Sequence, residues 1–294
     1  SDRNNDFPKI RVWGTIGWIV ASWAFPMIWL QQGLHFQWMP PFIVGAEVAD
    51  VTSRLADALK FSGLISITYG AFCFLLPHTP PKRDAVEKLA FKKAFELFRL
   101  SSFTTLVIAS LAVSVIHQIY FLQTGPFLSH IGILDSQIGP AMTIGQFAEI
   151  FTMAYLGFFL KRIGFHKVIT IGVAAYFMRY AIFGTDALPV WVMVVSQAFH
   201  GFCYAFFFAA AYIYVDKLAD EDVRHSAQTV FGIIILGGGP VIGGWLSGYL
   251  QNIYTVSGVF SFSNLWYTVS AIGLATAIFF FMSFRDQLPK EVSA

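Results

Sequence analysis

Residues 139–160 have the sequence GPAMTIGQFAEIFTMAYLGFFL, an apolar stretch with Gln146 and Glu149 near its middle. It is long enough for a helix that crosses the hydrocarbon core of a bilayer, which takes about 20 apolar residues. A carboxylate at that depth costs roughly 2.5–3.5 kcal/mol on insertion scales, so it usually faces a cavity or a partner. Gln146 and Glu149 lie three residues apart and share one side of a helix. The stretch therefore predicts a membrane-spanning helix with a functional polar face.

The composition of the whole chain predicts an all-α integral membrane protein. Of its 294 residues, 56% are hydrophobic and 12% are charged, whereas a soluble domain has about 25% charged residues. Eight stretches are long and apolar enough to be predicted as spans. They are residues 7–30, 56–76, 103–128, 139–160, 168–183, 190–215, 227–250 and 265–284.

The basic residues predict the orientation of these spans. If the first span starts on the inner side, sixteen Lys and Arg residues lie in inner segments, two (Arg54 and Lys60) lie in outer segments, and Arg179 lies within the fifth span, which accounts for all 19. Inner loops of membrane proteins carry an excess of Lys and Arg. We therefore expect a multi-pass protein of the cell (inner) membrane, with both ends of this chain cytoplasmic.

The longest inner connection, residues 78–102, divides the chain into two parts. It is Pro-rich and then highly charged, and its second half, residues 86–100, has an amphipathic pattern. Such a pattern predicts a short helix on the inner membrane surface. Two predicted helices precede this linker, within residues 1–77, and six follow it, within residues 103–294. The outer segment 31–54 is expected to be a loop.

The sequence contains no Walker lysine, zinc-ligand spacing, G-x-S-x-G or H-E-x-x-H, which are motifs with known chemistry. We therefore expect no cofactor and no metal. The GGGPVIGG run at residues 237–244 lacks the Lys-Ser/Thr of a phosphate-binding loop. Close helix packing with a proline kink is expected there instead.

Helical spacing collects further polar and aromatic groups into stripes. These are Arg11, Thr15 and Trp18 in the first span, Gln118 and Phe121 in the third, and Gln197, His200 and Tyr204 in the sixth. Gln118, Glu149 and His200 fall near the centres of their spans, which predicts a shared central cavity. Gln197 lies nearer the outer end. Arg179 is expected to have a structural role.

The residue types in these stripes fit one class of ligand. Amides and a carboxylate can bond sugar hydroxyls or the edges of a base, and the aromatic side chains offer flat apolar walls. A neutral, polyhydroxylated ligand with an aromatic ring would suit both, and the titratable Glu149 could carry a proton. A transporter is the first hypothesis. A polytopic membrane enzyme that uses Glu149 and His200 as acid and base is the alternative from another class.

Five stretches of the sequence resemble the nucleoside:proton symporter family of the major facilitator superfamily. They are RVWGTIGW at residues 11–18, QFAE at 146–149, RYAIF at 179–183, RHSAQ at 224–228 and GGWLSG at 243–248. They occur in the order that the family has and cover essentially the whole chain. The first two are the more specific.

The resemblance implies a twelve-helix fold in two six-helix bundles, of which this chain resembles helices five to twelve. The first four helices are then expected to be missing. Residues 1–77 would be the last two helices of the N-terminal bundle, residues 78–102 the cytoplasmic linker, and residues 103–294 the C-terminal bundle. The implied activity is proton-driven nucleoside uptake by alternating access about a midplane site.

The resemblance also implies the site and the partners. The resemblance implies that Arg11, Thr15, Trp18, Gln118, Gln146 and Glu149 bind the substrate, and the aromatic and polar stripes add Phe121, His200 and Tyr204 as substrate-binding candidates. The expected partners are a nucleoside, protons and the lipid bilayer. No nucleic acid is expected to bind, and we expect a monomer.

Two positions depart from the family pattern. Phe121 stands where an Asn is expected, and Ala205 follows Tyr204 where the family has a membrane-embedded Asp that is a candidate for proton coupling. Glu149 and His200 are then the proton-coupling candidates. These departures leave two alternatives open. One is a facilitator or symporter of another sugar-like solute, and the other is a non-transporting, receptor-like relative.

Overall fold

The computed structural model describes residues 3–78, 94–185, 188–220 and 223–288, with side chains from Val12 onward in the first helix. The described chain is dominated by helices. They are α1 (Arg3–Phe25), α2 (Val51–Leu55), α3 (Asp57–Cys73), α4 (Ser101–His130), α5 (Asp135–Gly184), α6 (Val190–Leu218), α7 (Arg224–Ile253) and α8 (Phe262–Ser283). A short 3-10 turn, Leu97–Arg99, precedes α4. Residues 79–93 lie outside the described part, and with them most of the predicted amphipathic helix 86–100.

Each of the eight predicted spans coincides with a helix. In the described residues, six helical stretches are long and apolar enough to cross a membrane. One of them, α5, is two helices joined at Gly164, which has φ 76° and ψ 168°. The remaining predicted span corresponds to α3, which has 17 residues. The all-α membrane fold predicted from the sequence is therefore confirmed.

Three of the long helices contain a π-helical segment. Pro26–Leu30 extends α1, Cys203–Ala209 lies within α6, and Ile233–Gly238 lies within α7. The proline kink expected in the GGGPVIGG run takes a different form. Pro240 lies in the first turn of the α-helical segment Gly239–Ile253, directly after the π-helical segment. Because α7 is continuous through Gly238 and Gly239, the missing N–H of Pro240 removes one hydrogen bond to the preceding turn of the helix.

Residues 31–54 contain a β-hairpin followed by a short helix, so the expectation of a loop was wrong. Strands β1 (Gln31–Phe36) and β2 (Ile43–Glu47) pair antiparallel, from Gln31 with Glu47 to Phe36 with Ile43. The register shifts between Gln32 and His35, and Gly33 within this irregular part has φ 64°. The hairpin pairs backbone groups that a plain loop would leave to the solvent. A second, smaller hairpin, β3 (Thr255–Val256) and β4 (Val259–Phe260), connects α7 to α8.

The chain divides into two compact units. The first contains α1 to α3 together with Ile133–Ala141, and the second contains α4 and everything after Met142. In the second unit, α4 packs against α8 and against residues 239–253 of α7. The α7 contact is close, because a Cβ added to Gly243 would lie 2.7 Å from the Cβ of Gln118. Close helix packing was predicted for this glycine run.

Candidate functional site

Helices α5 and α6 touch almost backbone to backbone beside the predicted site residues. A Cβ on Gly145 of α5 would lie 2.8 Å from the Cβ of His200. A Cβ on Gly201 of α6 would lie 2.5 Å from the carbonyl carbon of Ala148. Both separations are far below van der Waals contact, so only glycine fits without a shift of its neighbours. This contact brings His200 next to residues 145–149 of α5.

Gln146, Glu149 and His200 form a buried polar cluster, called here the central cluster. Their exposed fractions are 6%, 6% and 2%. The Nε2 atom of His200 lies 3.9 Å from Oε2 of Glu149, which is an ion-pair distance but longer than a hydrogen bond. In the described part of the chain, Oε1 of Gln146 has no hydrogen-bond partner. A buried amide oxygen without a partner costs free energy, so it is a candidate for binding a ligand.

Arg179, in the second half of α5, is fully buried and joins the central cluster through His200. Its Nη1 atom lies 3.1 Å from Nδ1 of His200, and its Nη2 atom donates to the hydroxyl of Tyr180 at 3.1 Å. Its guanidinium carbon lies 4.0 Å from the ring centroid of Tyr120. The sequence predicted only a structural role for Arg179, and the contact with His200 was not predicted. The signal was present, because an arginine inside an apolar span is unusual.

An aromatic stack holds the His200 ring in place. Its centroid lies 5.7 Å from those of Tyr120 and His117, with nearly parallel planes, and 6.4 Å from that of Tyr204. The hydroxyl of Tyr120 donates to Oε1 of Gln197 at 3.0 Å. Gln197 is fully buried, and its Nε2 atom has no hydrogen-bond partner within the described residues. The sequence placed Gln197 nearer the outer end and left Tyr120 out, since spacing along one helix does not show which helices meet.

Gln118 and Phe121 of α4 lie at the edge of this arrangement. Phe121 is 40% exposed and packs edge-on against His117 with centroids 5.0 Å apart. Gln118 is half-buried and packs toward Gly243 of α7. The second unit therefore brings Gln146, Glu149, His200 and Tyr204 together directly, and it reaches Phe121 through His117 and Tyr120.

The residues predicted in the first unit lie on α1. Thr15 is buried, and Trp18 is 47% exposed. The side chain of Arg11 lies outside the part of α1 whose side chains are described.

The position of the family's acidic residue is occupied by a small, buried side chain. Ala205 is fully buried within the π-helical segment Cys203–Ala209. Such segments occur frequently at functional sites, and here the segment follows His200 by three residues and includes Tyr204. This segment thus lies beside the central cluster and has no carboxylate at position 205.

Comparison with known proteins identifies the family. The profile of the family described as nucleoside H+ symporter matches residues 1–288. The putative nucleoside transporter YegT of Escherichia coli K12 is 30% identical over an alignment of 306 positions, which covers 100% of this chain and 68% of that protein. Xanthosine permease of the same organism is 26% identical over an alignment of 294 positions, which covers 95% of this chain and 65% of the relative. The chain thus spans about two thirds of the length of these relatives.

Two crystal structures of the nucleoside transporter NupG have the same fold. One matches with a TM-score of 0.72 at 25% sequence identity and covers 98% of this chain and 69% of that one. A mutant form of NupG matches with a TM-score of 0.77 at 26% identity, and the match covers 97% of this chain and 69% of the NupG chain. The sequence resemblance and the fold are both confirmed. Since the family profile extends over nearly the whole chain, this protein belongs to the nucleoside H+ symporter family.

Proposed function

We propose that the full-length protein carries nucleosides across the membrane together with protons. The observation that carries this proposal is the central cluster: three buried polar side chains at the contact of two apolar spans, in a member of the nucleoside H+ symporter family. Buried polar groups inside a membrane are expensive and usually mark a solute or ion pathway. The enzyme alternative does not hold, because the family consists of transporters.

The chemistry of the central cluster suits a nucleoside. The amide of Gln146 and the carboxylate of Glu149 can bond ribose hydroxyls or polar edges of the base. The unpartnered Oε1 of Gln146 supports this role, since a ligand hydroxyl or amino group would satisfy it. Tyr204 and Phe121 supply flat apolar surfaces near the cluster, and Gln118 is a further candidate from α4. Substrate contacts of Arg11, Thr15 and Trp18 stay a prediction that rests on the sequence resemblance.

Proton coupling is assigned to Glu149 or His200. With Ala205 in place of an acidic residue, these are the titratable members of the central cluster, and their side chains lie 3.9 Å apart. Ala205 is also the observation that favours the second candidate function, a facilitator that moves nucleosides or another sugar-like solute without protons. A relative that binds a nucleoside and does not transport it is the third outcome. Proton-dependent flux separates the three.

The orientation and the division of the chain remain predictions from the sequence. The positive-inside distribution supports cytoplasmic ends for this chain. The division into residues 1–77, a linker 78–102 and residues 103–294 supports alternating access by two bundles. We also keep the prediction of a monomer.

Gln146→Ala tests the substrate contact. Loss of one or two neutral hydrogen bonds is worth roughly 1–2 kcal/mol, which is about 5- to 30-fold in Kd. We therefore expect the purified full-length variant to bind uridine that much more weakly in an equilibrium binding assay. Phe147→Ala is the matched control, because Phe147 is the next residue on the same helix and 44% exposed. Equal loss of affinity in both variants, or none in Gln146→Ala, would remove Gln146 from the site.

A further inference from the structure

Arg179 is a buried charged residue to which the proposed transport function assigns no role. It is 0% exposed and lies in the second half of α5, within an apolar span. Three tyrosine rings surround its guanidinium carbon, with centroids at 4.0 Å (Tyr120), 4.9 Å (Tyr180) and 5.5 Å (Tyr176). Faces of aromatic rings attract a cation, so the three rings stabilise the buried guanidinium.

The guanidinium is held in one orientation. Its Nη2 atom donates to the hydroxyl of Tyr180 at 3.1 Å, and that hydroxyl donates to the backbone oxygen of Ile116 on α4 at 3.2 Å. With Nη2 fixed in this way, Nη1 is directed at Nδ1 of His200, 3.1 Å away. A planar guanidinium cannot turn one of these groups without moving the other.

This contact determines which nitrogen of His200 carries the hydrogen. A guanidinium has only donors and keeps its charge in proteins. The Nδ1 atom of His200 must therefore be the acceptor, and in a neutral ring the hydrogen is then on Nε2. A second hydrogen, placed on Nδ1, would remove the acceptor and direct an N–H at the guanidinium.

The Nε2–H faces Glu149. The distance from Nε2 to Oε2 of Glu149 is 3.9 Å, about 0.7 Å beyond the upper end of an N–H···O hydrogen bond. A small rotation of the Glu149 side chain would close it. Because Nδ1 is fixed by Arg179 and the ring packs against those of Tyr120 and His117, the Nε2–H has a constant direction.

The other titratable side chains around His200 belong to α4 and to α6 itself. From α4 these are Tyr120, which donates to Gln197 at 3.0 Å, and His117, whose Nδ1 lies 2.9 Å from the hydroxyl of Tyr176 on α5. From α6 itself they are Cys203 and Tyr204, which follow His200 by three and four residues. Among the described residues, Glu149 is the acidic side chain within ion-pair distance of the ring.

We propose that Arg179 is a positioning residue that holds His200 as the neutral Nε2–H tautomer and thereby directs a fixed donor at Glu149. In this arrangement the ring orients the carboxylate and does not itself take up the exchanged proton, which resides on Glu149. The inference rests on the proposed function, since it assigns the proton between the two candidates named there. Of the three connected residues Arg179, His200 and Glu149, only Glu149 then titrates.

Two substitutions at His200 test the role of the ring in binding. His200→Leu removes both the acceptor for Arg179 and the donor for Glu149, and we expect it to weaken uridine binding at least tenfold. His200→Gln supplies an amide oxygen for Arg179 and an amide N–H for Glu149 without a titratable group, so it should recover at least fivefold of that loss and keep a pH-dependent affinity between pH 5.5 and 8. Loss of the pH dependence in folded His200→Gln would overturn the proposal, as would a folded His200→Leu that binds as tightly as the unmodified protein.

A spectroscopic readout works even if uridine is not the substrate. We expect the ¹⁵N spectrum of histidine-labelled full-length protein to show His200 with a protonated Nε2 and a bare Nδ1 at pH 7, its signals assigned by their absence in His200→Gln. In Arg179→Met, which removes the donors but keeps an unbranched side chain, signals of the Nδ1–H form should appear. An imidazolium or an Nδ1–H ring in the unmodified protein would overturn the proposal while leaving the transport function untouched.

Discussion

Glu149→Gln is expected to weaken nucleoside binding by the full-length protein about 10- to 100-fold and to remove the pH dependence of binding. A hydrogen bond to a charged group is worth about 1.5–3 kcal/mol, and each 1.4 kcal/mol is about tenfold in Kd. Glutamine keeps the size and shape of the side chain, but it has neither the charge nor the titrating proton. Because Glu149 is only 6% exposed, water cannot readily replace the lost acceptor. The measurement is equilibrium binding of uridine from pH 5.5 to 8.

A second carboxylate on the same helix provides the control. Asp135 lies in the first turn of α5 and is exposed, so Asp135→Asn removes one negative charge without touching the central cluster. It should leave affinity and pH profile unchanged. If folded Glu149→Gln instead behaves like Asp135→Asn, Glu149 is a structural residue and the assignment of the proton to it is wrong.

Gly201→Ala is expected to destabilise the second unit strongly. The added Cβ would lie 2.5 Å from the carbonyl carbon and 2.6 Å from the oxygen of Ala148. These are backbone atoms, which no change of rotamer can move away, so α5 and α6 must separate. Overpacking of this kind costs about 1–3 kcal/mol, which is about 2–12 °C in Tm for a unit of this size. Since the same contact places His200 beside Glu149, nucleoside binding should fall as well.

Gly157→Ala is the matched control for this prediction. Gly157 lies on α5, three turns beyond Gly145, and a Cβ there would have nothing within 4 Å. Alanine also has the better helix propensity, so the melting temperature in detergent should be unchanged or slightly higher. If the Gly201→Ala protein has the same melting temperature as Gly157→Ala, α5 and α6 are not in close contact at Gly201.

The spans could be predicted, and Glu149 could be identified as a candidate, because both inferences depend on local sequence and on the solvent. Length and hydropathy determine whether a stretch can cross a bilayer, and a carboxylate in such a stretch is costly wherever the helix packs. The resemblance of residues 11–18 and 146–149 to the family then gave the fold. None of these inferences requires knowledge of which helices are neighbours.

What could not be predicted depends on contacts between distant residues. Arg179 is 30 residues from Glu149 along α5 and reaches it through His200 only because the helix turns at Gly164. Glycines at 145 and 201 are ordinary in a membrane helix, and their close approach is visible only in the packed structure. The hairpin of β1 and β2 was missed because β1, with the sequence QQGLHF, lacks a clear alternation of apolar and polar residues.

The central claim is that this protein moves nucleosides with protons, and uptake by cells tests it most directly. Cells that produce the full-length protein should take up radiolabelled uridine or adenosine, and a protonophore should abolish the uptake. Uptake that persists with the protonophore would contradict proton coupling and identify a facilitator, with Ala205 as its physical reason. Absence of uptake of either nucleoside, in cells where the protein is shown to reach the membrane, would contradict the substrate assignment itself.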